Sequence, residues 1–122
     1  MILFFARPSP YEYKRLRPVF LTHIREEIVL LDSLTPGLTI DKLLEDAYLK
    51  HCIQKSLEII GEAAKRVSEE TRSLCPSIAW WKYRKLRNRL THEYFSVDWE
   101  LVWTILEDDI PVLKMCVEKL LG

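Results

Sequence analysis

The sequence predicts an all-α fold, an up-and-down bundle of four to five helices around a single core. Apolar residues recur at spacings of three and four through most of the chain, the period of one helix face. No alternating apolar and polar run bounded by turn residues marks a strand. Three glycines in 122 residues are also too few for the turns of a sheet protein. The length fits one domain, and 48% apolar against 30% charged residues is the balance of a chain that buries a core.

Residues 1–16 read as an N-terminal arm, loose over 1–10, and residues 17–122 as the helical domain. The first helix is expected from about Tyr11 or Arg17 to Leu34, with Phe20, Ile24, Ile28 and Leu31 on one face and Thr35-Pro36-Gly37 stopping it. A short helix starts after Thr39. A long one follows, its stripe of Leu49, Ile53, Leu57, Ile60, Ala64 and Val67 ending before Pro76. Gly61 interrupts that helix at a cost of about 1 kcal/mol relative to alanine. With Ser56, Ala63 and Ala64 nearby, it points to a close approach of a second helix. Ser77 is placed to cap a third helix beginning near Trp80 and ending within Phe95-Ser96-Val97-Asp98, and Asp98 to cap a fourth. The fourth carries Leu101, Val102, Ile105, Val112, Leu113, Val117 and Leu120, and Pro111 must kink or restart it.

Several classes of function are disfavoured by composition. The apolar opening Met1-Ile2-Leu3-Phe4-Phe5 has no basic segment before it and is cut by Arg7 and Pro8, so neither an export signal nor a membrane span is expected and the cytoplasm is the expected location. Cys52, Cys75 and Cys116 are odd in number, widely spaced and without a CxxC, which reads as buried reduced thiols rather than a disulfide framework or a zinc site. His23 and His51 lack a ligand-like spacing, so no metal and no other cofactor is expected. Net charge is zero, but its distribution is uneven: Lys82, Arg84, Lys85, Arg87 and Arg89 fall within eight residues without one acid.

That basic run ends in His92, which places a titratable imidazole among fixed cations near a helix end. Histidine can move a proton near neutral pH, and arginine offers planar donors that suit phosphate oxygens. At about 100° per residue, Tyr83, Leu86, Leu90 and Tyr94 share the core side, while Asn88 and His92 share the opposite side with Trp81 and Phe95. One core cannot bury both faces, so a partner surface is implied. Arg87 and His92 stand roughly 140° apart around the helix. They converge on one phosphate either if the helix ends by His92 and the ring swings round, or if two copies meet across a two-fold axis; the dimer is favoured. A blander reading stands beside this one: a solvated basic face, an Arg89–Glu93 pair one turn apart, and a structural histidine.

Arg87-Asn88-x3-His92-x-Tyr94 resembles the Arg-x4-His-x-Tyr signature of HepT toxins, a branch of the HEPN superfamily. Leu57-Glu58-Ile59-Ile60-Gly61-Glu62-Ala63-Ala64-Lys65, the stretch from Tyr94-Phe95-Ser96-Val97-Asp98 to Trp103, and Asp109-Ile110-Pro111 resemble further segments of that family in the same order. The resemblance implies a homodimeric HEPN helical bundle acting as a metal-independent ribonuclease toxin. Arg87, His92 and Asn88 would be the catalytic residues and Lys82, Arg84, Lys85 and Arg89 would attract the RNA backbone. It also implies a nucleotidyltransferase-type (MntA-like) antitoxin that attaches AMP to Tyr94. Two other readings use the same residues: a non-catalytic HEPN module that binds nucleotides or RNA beside its nucleotidyltransferase partner, and a helical dimerisation scaffold in which Trp81 and Phe95 matter and His92 does not.

Overall fold

A computed structural model describes the backbone of residues 10–122 and the side chains of residues 19–122. Residues 1–9, and with them most of the loose-arm expectation, lie outside the described residues. Helix α1 (Pro10–Leu34) starts within the segment assigned to the arm. It is followed by α2 (Ile40–Glu45), α3 (Ala47–Arg66), α4 (Glu69–Ser73) and α5 (Trp80–His92). A 3₁₀ turn (Tyr94–Ser96), α6 (Trp99–Thr104), a π-helical stretch (Ile105–Asp109) and α7 (Ile110–Leu121) complete the chain. The described residues contain no strand.

α3 is the middle of the bundle, packed on α5 at one side and α1 at the other, and α7 closes against α1. The apolar stripes meet there: Ile24, Ile28 and Leu31 of α1, Ile53, Leu57 and Ile60 of α3, Leu90 of α5, and Leu113 and Val117 of α7 are all at most 1% exposed. Each buried aliphatic chain contributes roughly 1.5–3 kcal/mol through apolar area removed from water.

Local chemistry sets most boundaries. Gly37 turns the chain after α1 with φ of +72°, a conformation a side chain would oppose. Thr39 accepts from Lys42 N at 3.3 Å to open α2, Asp46 accepts from Leu49 N at 3.0 Å to open α3, and Asp98 accepts from Leu101 N at 3.1 Å to open α6. The stripe of α3 ends at Val67, before Pro76 as expected, and Ser68 caps a separate helix α4 through Thr71 N. Ser77 does not cap α5. The helix opens from Ala79 without a side-chain cap, and Ser77 lies in the preceding turn closed by Ile78 N to Cys75 O.

The helix restarts at Pro111 as expected. Over residues 105–109 the coil widens to π geometry, Ile110 N reaching Ile105 O, and Pro111 falls in the first turn of α7, where its missing N–H matters least. A second departure concerns the thiols. Cys75 and Cys116 form a disulfide joining the turn before α5 to α7, and Cys52 is exposed, so none of the three is a buried reduced thiol. A pairing across 41 residues is set by the packing of α7 and leaves no trace in local spacing.

Candidate active site

Helix α5 is held by one edge of α3. Gln54 Nε2 donates to Leu90 O at 3.1 Å, Thr91 Oγ1 donates to Glu58 Oε1 at 3.2 Å, and Glu62 Oε2 pairs with Arg87 Nε at 3.3 Å. Residues four apart on α3 thus grip the end of α5 in three places, the two helices running antiparallel. Gly61 allows the approach, since a Cβ there would lie 2.6 Å from Tyr83 O and overlap the Arg87 stem. The close contact expected from Gly61, Ser56 and the alanines is therefore present, with Ser56 Oγ reaching Glu27 O of α1 at 3.4 Å.

Around α5 the two faces divide as their spacing requires. Trp80, Tyr83, Leu86 and Leu90 are buried, the Trp80 indole donating to Cys75 O. Burial first and the Asp109 carboxylate second hold the Tyr83 phenol well above the ordinary tyrosine pKa. On the outside Trp81 is 62% exposed and Lys85, Asn88 and His92 are exposed with it. Phe95, at 80% exposed, continues that face past the helix end.

Arg87 lies on the flank toward α3, a third of its side chain exposed, with its Nη1 donating to Asn88 Oδ1 at 3.1 Å. Asn88 is therefore joined to the arginine and not to the His92 ring. His92 is the last residue of α5 and is exposed. Although the helix does end there, no hydrogen bond or ion pair links Arg87 to His92 within the chain.

One expectation about the neighbourhood changes. Tyr94 does not continue the core side of α5: it lies in the 3₁₀ turn beyond the helix, 69% exposed, its ring edge-on to Phe95 with centroids 5.8 Å apart. The five cations have different neighbours. Lys82 pairs with Asp109 at 3.7 Å and Arg87 with Glu62. Lys82, Lys85 and Arg89 line an open groove with Trp81, Leu101 and Ile105, while Arg84 is turned about 60° from Arg87. Glu62, Glu58 and Gln54 were not singled out from the sequence as site residues. Their signal is a polar residue at every fourth position of α3, beside the apolar stripe of Ile53, Leu57 and Ile60.

Comparison with known proteins places this geometry. A family model described as HepT-like, "Ribonuclease HepT-like", matches residues 24–120. The chain belongs to the HepT-like ribonuclease family of the HEPN superfamily. Among its HepT-like relatives, a protein named "Probable ribonuclease HepT" from Thermococcus cleftensis is 36% identical over 107 residues, 88% of this chain and 97% of the relative. A protein carrying an RNase name from Caldanaerobacter subterraneus is 33% identical over 108 residues, 88% and 96% of the two chains. Another so named, from Methanocaldococcus jannaschii, is 31% identical over 105 residues, 86% and 96%. No solved structure matches the chain. Among the described residues no helix is long and apolar enough to cross a membrane, and no group of three or more His, Cys, Asp or Glu side chains is placed to hold a metal ion.

Proposed function

We propose that this protein is a metal-independent RNA endonuclease, the toxin of a toxin–antitoxin pair, acting in the cytoplasm and neutralised by a nucleotidyltransferase-type (MntA-like) antitoxin that AMPylates Tyr94. One observation carries the reading: a HepT-like chain presents, on a single helix, an exposed terminal histidine and an arginine held along one edge and open along the other.

In this reading His92 takes the proton of a ribose 2′-hydroxyl. The 2′-oxygen attacks the adjacent phosphorus, the bond from phosphorus to the 5′-oxygen breaks, and the leaving oxygen takes a proton from a general acid. The products are a 2′,3′-cyclic phosphate and a 5′-hydroxyl end. Arg87 stabilises the charge that builds on the non-bridging oxygens, and Asn88 fixes the guanidinium through its carbonyl oxygen. Since Arg87 and His92 lie on different sides of α5, the working site is composite. Two copies pair through the Trp81, Asn88, His92 and Phe95 face, and the partner's histidine is the acid. Lys82, Arg84, Lys85 and Arg89 draw in the RNA backbone without reading bases. Incubating the purified protein with end-labelled RNA, with and without chelator, tests the reading: cleavage that persists in EDTA is expected, and cleavage lost in EDTA contradicts it.

A further inference from the structure

We propose that Glu62 is a positioning residue for Arg87, taking the Nε side of its guanidinium so that the remaining Nη donors face the substrate phosphate. The inference rests on the ribonuclease reading and adds to it a residue outside the Arg-x4-His-x-Tyr motif.

Arginine has five N–H donors in a fixed plane. Here Nε lies 3.3 Å from Glu62 Oε2, and Nη1 spends one hydrogen on Asn88 Oδ1. Three donors remain, one on Nη1 and two on Nη2. The direction is imposed from the backbone outward, because Gly61 brings α3 against the stem of Arg87 and leaves the side chain to emerge alongside Glu62. Glu62 is itself held, its Oε1 accepting from Arg66 Nε at 3.2 Å with Arg66 Nη2 at 3.1 Å.

Charge and contact explain why the arginine is steered rather than silenced. Arg66 and Arg87 against Glu62 leave the trio with one net positive charge, enough to attract a phosphate. Glu62 Oε2 is shielded from solvent and has no hydrogen-bond partner, so its contact with Arg87 is an ion pair without hydrogen-bond geometry. An incoming phosphate therefore meets a guanidinium whose orientation is set while most of its donors are unspent. Because removing the carboxylate deletes a negative charge, binding should not weaken; only the transition-state contact should suffer.

The test uses the full chain, an end-labelled oligoribonucleotide, and wild type, Arg87→Ala, Glu62→Gln, Glu62→Ala and the double variant Glu62→Gln/Arg87→Ala. For Glu62→Gln the expected result is a kcat at least tenfold lower, with RNA affinity unchanged or tighter and thermal midpoint and circular dichroism retained. The Arg87 Nε–H signal in the ¹⁵N spectrum should shift or broaden relative to wild type once the carboxylate is gone. In the Arg87→Ala background the Glu62 change should cost nothing more. Glu62→Ala, which keeps no side chain able to pair, should match or exceed the loss. Wild-type kcat in Glu62→Gln and Glu62→Ala, while wild type cleaves and Arg87→Ala does not, would overturn the inference alone, as would an unchanged Arg87 Nε–H signal. A wild-type chain that cleaves no RNA overturns the ribonuclease reading and takes this inference with it.

Discussion

Glu62 and Arg87 meet across the α3–α5 interface at 3.3 Å, one residue beyond the glycine that lets the two helices touch. The fold thus couples a close helix approach at Gly61 to its candidate catalytic cation, so a change at the interface is felt at the site.

Gly61→Ala measures that coupling. Helix propensity favours alanine by about 1 kcal/mol, but the added methyl would overlap Arg87 Cβ and crowd Tyr83 O. Overpacking typically costs about 1–3 kcal/mol, so a net loss of stability in chemical denaturation is expected, with cleavage falling further than the stability change explains. A more stable variant with full activity would show that the helices can part without consequence.

Tyr83 gives the fold an alkaline weakness. Its phenol is raised in the folded state, so above the unfolded value of about 10 the unfolded chain gives up the proton that the folded chain retains. The contribution is fully present below that value and is lost as pH rises from it through the raised folded value, by up to about 1.4 kcal/mol per pH unit. Denaturation of wild type and Tyr83→Phe at pH 8 to 11 should show the wild type losing stability more steeply, and parallel curves would refute the assignment.

Association follows from the outward face. Trp81 and Phe95 at 62% and 80% exposed leave a large apolar surface beside His92. Small-angle scattering at micromolar concentration should report a two-fold dimer, and Trp81→Glu a monomer that no longer cleaves. A wild-type monomer that cleaves RNA would end the composite-site account.

Control at Tyr94 is favoured by where the residue lies. Beyond the helix and 69% exposed, its hydroxyl is open to a modifying enzyme, whereas a core tyrosine on α5 would not be. Co-expression with the proposed nucleotidyltransferase antitoxin should add one or more AMP units to wild type by intact mass, mapping to Tyr94 and absent from Tyr94→Phe. A fully neutralised complex with unmodified Tyr94 would point to inhibition by binding alone.

What was legible in the sequence was what is decided locally. Thr39 and Asp98 cap their helices because the donors they satisfy lie three residues on, and Ile24, Ile28 and Leu31 face inward because their spacing leaves no other side. Arg87 and His92 were legible as candidate chemistry, and the structure leaves both at least partly exposed on α5 with no bond between them. Misreadings came from longer range or from ambiguous ends. Tyr94 lies two residues past the end of α5 at His92, and Ser77, a good cap by type, sits in a turn two residues before the capping position at Ala79. The Cys75–Cys116 link and the Glu62–Arg87 pair join residues that only the packing of α7 and α5 brings together.

The central claim is that Arg87 and His92 cleave RNA by transesterification, and the chemistry of the RNA ends tests it most directly. RNA incubated with wild type should carry 2′,3′-cyclic phosphate and 5′-hydroxyl ends, and Arg87→Ala and His92→Ala should each lower their yield at least a hundredfold while keeping the wild-type circular dichroism. Undiminished cleavage by both variants, or ends bearing 5′-phosphate, would contradict the account.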